Sequence, residues 1–494
     1  MARYFSRRDF VRTVGLGGAG LLTGATGLVG SQRIPGSGSR ASTGAGGNPL
    51  RLVPPVSPSG IVLDAAPGMA HVGGGVQAEA WMLNGMLPSP LLRTRRGEIF
   101  DLEMINHLPD PLILHWHGLT PPEEADGHPR FAVPPGGRYS YRFAVENRAG
   151  TYWYHSHTHH LTAEHTYRGI AGLLLVEDDE EAGLELPRGH REIPLVLQDR
   201  RLDGEGRPVF GDGSLLEGYM GDQPFANGIH RAHHEVETAL YRLRILNGSN
   251  ARIFRLGRSD GRPLILMGND GGFMDRSREL PWIDAAPGER LDLLLDLRDT
   301  PPGERVTLRS LPFDIREEAR EARGSTLQGS PLELVEFRVV RGVRDTTPIP
   351  SSLPAPRLPD PTQAVRERTF LLTSELDPWS RTMMHHQING RDFQMEVVDE
   401  HVAFGDTEIW TFVNDNAFAH PIHMHATHFR VLSRSGGRNR VMPWEEGLKD
   451  TVLLHPDETV RVAIRFTAHR GLFPLHCHIL EHEDVGMMLN VLVE

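Results

Sequence analysis

The chain has 494 residues, 39% of them hydrophobic, with 53 Gly, 37 Pro and a formal net charge of −12. That length accommodates about two to four domains, and the acidic balance excludes a nucleic-acid partner, which needs a basic face. A single cysteine excludes an internal disulfide, so cysteine usage says nothing about the redox compartment.

In chain order the first element is "SRRDFV" (residues 6–11), paired arginines ahead of the uncharged stretch 13–32. It resembles a twin-arginine export signal. The stretch has spanning length, but seven of its twenty residues are glycine, too weakly apolar for a stable transmembrane helix. Residues 1–33 are therefore expected to be a signal region. The mature chain is expected to be exported to the periplasm or beyond, without stable membrane insertion.

Residues 34–50 are Gly/Ser-rich and read as a flexible linker. Three similar units follow, at residues 51–180, 181–345 and 366–494, with a Pro-rich linker at 346–365 before the last. Each unit opens with an apolar run ending in Asn-Gly: "WMLNG", "PFANG" and "HQING". Each then has an asparagine closing a strand-like run (Asn106, Asn247, Asn414) and later a turn before alternating apolar residues, as in "PPGGRYSYRF", "APGERLDLLLDL" and "HPDETVRVAIRF". Short strands between Pro/Gly/Asp turns predict an all-β chain of Greek-key sandwiches or barrels. "REEAREARG" (residues 316–324) reads as a solvated loop or short helix, and "MMHHQ" (residues 383–387) as a short loop.

The register of this repeat carries chemistry. Nine and eleven residues after the shared asparagine, the first unit has His115 and His117 and the third has His423 and His425. The middle unit has Leu256 and Arg258 there. Second pairs, His155 with His157 and His476 with His478, each begin five residues after a glycine, Gly150 and Gly471. On a strand, residues i and i+2 share a face, so each pair presents two imidazoles together. Eight imidazoles between the first and third units suit copper, iron or zinc, and are too many, with too little thiolate, for a closed structural zinc site.

The segment "GLFPLHCHILEHEDVGMM" (residues 471–488) selects copper. Cys477 lies between His476 and His478 and must point to the opposite face of its strand. There it can meet His420, His482 and Met487, and two His, one Cys and a weak Met form the blue-copper electron-transfer set. One strand then links that set to the histidine cluster through adjacent residues.

The motifs "HWHG", "WYHSH", "HPIHMH" and "HCHILEHEDVGMM" closely resemble those of the multicopper oxidases, which include laccases, bilirubin oxidases and bacterial copper-efflux oxidases. The resemblance implies three cupredoxin-like Greek-key β-barrel domains and four coppers per chain. His420, Cys477 and His482 would hold the type 1 copper, with Met487 axial. His115 and His423 would hold the type 2 copper, and His117, His155, His157, His425, His476 and His478 the type 3 pair. Dioxygen would be reduced to two waters at the cluster, and a small reducing substrate would give single electrons at the type 1 site. Asp126, nine residues after His117, matches the family's proton-relay aspartate, and Glu483 matches an acidic proton donor, with orientation of a ligand as an equal alternative. Asp450 in "KDTV" is expected to be structural or near the type 1 edge. An axial Met implies a modest potential. No long Met-rich segment covers the type 1 edge, so laccase-like oxidation of phenols or other organic reductants is expected, with cuprous oxidation second. A monomer is expected. A copper-free envelope-assembly protein of this fold is disfavoured by the complete ligand set, and a two-domain nitrite reductase by the third unit.

Overall fold

The computed structural model describes residues 47–211, 216–315, 327–376 and 384–494. The twin-arginine segment, most of the Gly/Ser-rich linker, "REEAREARG" and Met383 lie outside the described residues.

The three-fold repeat is visible in the strand pairing. In each unit one long strand (Ser59–Gly73, Glu192–Leu202, Ala364–Leu376) pairs antiparallel with the strand that leads into Asn-Gly. The same long strand pairs parallel with the strand ending in the shared asparagine (Ile99–Asn106, Leu240–Asn247, Thr407–Asn414). That strand then pairs antiparallel with the alternating one (Arg138–Ala144, Arg290–Asp296, Thr459–Arg465). A second sheet faces the first in every unit, giving six sheets in all among the described residues. Three separate apolar clusters, centred on residues such as Trp116, Leu293 and Trp410, fill the units.

The repeated spacing has a physical cause at both the dipeptides and the asparagines. Asn84–Gly85, Asn227–Gly228 and Asn389–Gly390 all have positive φ at both residues, and their flanking residues face one another across the turn. This is the two-residue hairpin turn whose twist matches that of the strands. The shared asparagines tie two loops together. Asn106 donates to the carbonyls of Asp110 and Val133, Asn247 to those of Arg252 and Ala285, and Asn414 to those of Phe418 and His455. In each case the second carbonyl belongs to the turn before the alternating strand.

Two segments differ from expectation. Asn48–Pro49, at the end of the expected flexible linker, pairs in parallel with Ala232 and His233 of the middle unit. Within "MMHHQ", Met384–Ile388 is a strand, not a loop, paired with Ala364–Leu376 and with His386 fully buried. Among the described residues no helix is long and apolar enough to cross a membrane.

Asn247→Ala would leave two buried carbonyls and the Ser249 amide without their partner. A loss of about 2–4 kcal/mol is expected, read as earlier thermal unfolding of the copper-stripped protein with an unchanged metal content after reloading.

Candidate metal centre

Sheet register assembles the histidines. In the first unit His115 lies directly opposite His155 on the neighbouring strand, and in the third unit His423 lies opposite His476. Each His-x-His pair keeps its rings on one face, 5.6 Å apart for His115 and His117, 6.1 Å for His155 and His157, 5.0 Å for His423 and His425, and 5.7 Å for His476 and His478. The two sets meet across the interface: His115 stacks on His425 at 3.6 Å and His117 on His423 at 3.7 Å. All eight are buried.

Hydrogen bonding settles which ring nitrogen faces inward. The Nδ1–H of His115, His423, His155 and His476 donates to the backbone carbonyls of Asp126, Asp450, Ser156 and Cys477. His425 donates Nδ1–H to the Asp126 carboxylate at 2.7 Å. Their Nε2 atoms therefore carry lone pairs. Yet Nε2 of His115 and Nε2 of His423 stand 3.4 Å apart, and Nε2 of His476 stands 3.0 Å from that of His425 and 3.4 Å from that of His157. Converging lone pairs repel unless a cation lies between them, so the donor set fits a metal. His117 is reversed: its Nε2 faces the Asp450 carboxylate and Thr451, leaving Nδ1 without a protein partner. Neither ring nitrogen of His478 has one either.

Burial, reinforced by neighbouring histidines, pushes the imidazoles of His115, His157, His425 and His478 well below the ordinary 6.5. Burial also brings His155 to about 4, against the opposing pull of Glu483. Neutral imidazole is the metal-binding form.

On the other face of the same strand, Cys477 lies opposite Ile422. Its Sγ is 3.4 Å from Nδ1 of His420 and 3.7 Å from Nδ1 of His482, and those two nitrogens are 3.3 Å apart. His420 donates Nε2–H to Asn416, which frees Nδ1 to bind. The triangle of two nitrogens and one sulfur fits a single trigonal ion. Met487 is buried in the same apolar cluster, and its carbonyl accepts from the Cys477 amide at 3.0 Å. Burial pushes the Cys477 thiol up, so it becomes a thiolate only against a bound cation.

These sets stand in the chain positions that define one family. Residues 65–181 and 359–494 match the sequence profiles described as Multicopper oxidase. The laccase of Bacillus stratosphericus is 30% identical over 83% of this chain and 89% of its own length. The chain belongs to the multicopper oxidase family. It superimposes on the McoA multicopper oxidase of Aquifex aeolicus with a TM-score of 0.82 and 31% identity, over 91% of this chain and all of that one. It also matches the laccase-like multicopper oxidase CueO of Ochrobactrum sp. with a TM-score of 0.80 and 32% identity, over 90% of this chain and 100% of that one. The protein is a laccase-like copper oxidoreductase that uses four coppers, dioxygen and a reducing substrate. Its fold is the three-domain cupredoxin-like fold of these oxidases.

The two candidate carboxylates of the oxidase flank its cluster. Asp126 ends the short helix Glu123–Asp126. It is fully buried, with its carboxylate on His425 and its carbonyl on His115, and burial raises its carboxyl well above the ordinary value. Glu483 accepts from Thr162 at 2.9 Å and lies 3.2 Å from Nδ1 of His476 and 3.5 Å from Nε2 of His157. Burial alone would raise it, but His476 and Thr162 outweigh that and leave it below its ordinary value.

The structure places two further residues. Of the two places expected for Asp450, the structure gives a buried, ion-paired one and not one beside Cys477. It sits against His117 and His423 at the cluster, because it directly precedes Thr451, which pairs with His423 on the adjacent strand. Burial would raise its carboxyl, but Arg290 and His117 hold it well below the usual carboxylate range. His386 lies beside the triangle of His420, Cys477 and His482, with its ring stacked on His482 at 3.7 Å and its Nδ1 2.8 Å from Oγ of Ser374. The double histidine of "MMHHQ" was its only trace in the sequence.

Depressed imidazoles make the copper-stripped protein acid-labile. Below about pH 6.5 the unfolded chain binds protons that the folded cluster refuses, so stability is complete above that value and lost progressively as pH falls toward the depressed folded-state values. The thermal midpoint of copper-stripped protein is expected to drop between about pH 7.5 and pH 5.5, and copper is expected to suppress much of that drop.

Proposed function

We propose that His420, Cys477, His482 and Met487 would hold the type 1 copper, and that the eight paired histidines would hold the other three. In that assignment His115 and His423 serve the type 2 ion, and His117, His155, His157, His425, His476 and His478 the type 3 pair. The observation that carries it is the single strand Gly471–Cys477 and its continuation, with the triangle of Cys477, His420 and His482 on one face and His476 and His478 on the other. Bound copper supplies one-electron transfer and dioxygen reduction.

The chain's own groups do the rest. The Cys477 backbone joins both cluster histidines directly, giving electrons a short through-bond path. Asp126, whose carboxyl burial biases toward the protonated form, accepts from His425, and Glu483 holds one oxygen toward His476 and another toward Thr162. Both are suited to deliver protons to reduced oxygen, which needs four per dioxygen converted to two waters. Trp153, stacked on His155 at 4.2 Å, and the surrounding apolar side chains restrict water.

The proposed reductants are phenols and other small organic molecules, in line with the laccase and CueO relatives. Cuprous ion is the second reading. Met487, a weak thioether donor, would favour a modest type 1 potential. Export by the twin-arginine route and a monomeric state complete the proposal.

Oxygen consumption by the fully loaded enzyme with a phenol, bilirubin and Cu(I) side by side tests the substrate: fastest turnover on the phenol is expected, and turnover confined to Cu(I) overturns it. About four coppers per chain with an intense blue thiolate band is the expected loading. Asp126→Asn and Glu483→Gln should each retain that loading and slow oxygen reduction by about 10²-fold or more. Unchanged turnover at full loading would remove the residue from the proton path.

A further inference from the structure

The middle unit lacks histidines at the repeat positions, yet its turn residues 286–290 press against the cluster. Arg290 follows that turn and is fully buried. Its Nη1 donates to Asp450 Oδ1 at 2.8 Å, and its Nη2 donates to Asp450 Oδ2. The guanidinium is aimed by three carbonyls: those of Thr151 in the first unit (3.1 Å), Gly288 (3.0 Å) and Asp270 (3.1 Å). Its backbone amide is tied to Asp270 at 2.9 Å. Asp450 belongs to the third unit, and its Oδ1 faces Nε2 of His117 from the first at 3.1 Å. Its backbone carbonyl accepts from His423 Nδ1 at 2.9 Å. A second contact comes from the same turn. Gly288 has φ +82, and a Cβ there would lie 2.9 Å from the His478 ring.

We propose that Arg290 is a positioning residue for the trinuclear cluster: its fork pins the Asp450 carboxylate so that His117 must donate Nε2–H and turn Nδ1 to the metal. His117 is thereby reversed relative to its partners, and a copper-free domain sets the geometry of ligands drawn from both others. A carboxylate held on two oxygens by a guanidinium has a fixed plane, and a fixed plane is what selects one ring nitrogen of a neighbouring imidazole. Lys449, bonded to Asp270 and Glu289 at 2.8 Å each, holds the same turn against the third unit beside Asp450.

The proposal rests on the ligand assignment above, which the wild-type enzyme tests by itself through four coppers and the type 1 and type 2 signals. The test of Arg290 compares Arg290→Gln, Arg290→Lys and Asp450→Asn with wild type in two half-reactions. Anaerobic bleaching of the blue band by a phenol should be unchanged in all three. Reoxidation of the reduced enzyme by dioxygen should slow at least tenfold in R290Q and D450N, with an altered near-ultraviolet absorption band of the type 3 pair that His117 serves. R290K, which keeps the charge but not the fork, should fall between. Wild-type reoxidation and a wild-type type 3 band in R290Q overturn the proposal. So does parallel loss of blue band and cluster signals with a lowered thermal midpoint, which marks a merely structural arginine. Should R290Q fail to fold, R290K decides: a wild-type cluster signal there shows that charge alone suffices and the fork is not required.

Discussion

Lone pairs that face one another hold the key to this molecule. Every cluster imidazole whose Nδ1 is bound to a carbonyl or carboxylate turns its Nε2 inward, and two pairs of those nitrogens approach within 3.0 and 3.4 Å of each other. Without a cation such a pocket is repulsive and too dry to be relieved by protonation, since burial keeps the rings neutral. The fold must therefore supply rigid backbone acceptors at the right places and hold two separate sheets together against that repulsion. Sheet register does the first, by setting His115 opposite His155 and His423 opposite His476.

The interface does the second, and the middle unit, which has no histidines at the repeat positions, contributes to it. Arg290, Asp270, Glu289, Lys449 and Asp450 form a buried charged network at the junction. A second network joins Arg434 and Arg438 to Glu445 and Glu458 within the third unit. Buried ion pairs seldom add much net stability, but they impose one geometry, and a multinuclear site tolerates little else. The repeat in the sequence thus has two uses. Its asparagines and Asn-Gly turns build the sandwich three times, and the alternating strand of the middle copy lends its leading arginine to the metal centre of the other two.

Much of the site was legible because its chemistry is local in sequence. His-x-His on a strand must present two rings to one side, and a cysteine between two such histidines must face the other way. Those statements need only the pleat. The place of Asp450 stayed open between two readings because it depends on pairing across sheets. Thr451 opposite His423 is a register fact, and Arg290 reaches Asp450 from 160 residues away. His386 was passed over because a histidine in an apparent loop carries no periodic signal. Its burial comes from pairing of Met384–Ile388 with Ala364–Leu376, and only that brings its ring onto His482.

The amino-acid sequence by itself determined the all-β repeat, the two-sided strand around Cys477 and the shared face of each His-x-His pair, because turn preference and two-residue alternation act over a few neighbouring residues. Tertiary structure alone decided which ring nitrogen several of the histidines present, where Asp450 and His386 stand, and that the unit without paired histidines reaches the cluster. Those outcomes depend on hydrogen-bond partners contributed by distant strands, and no local rule of backbone geometry can supply a partner that arrives from another domain.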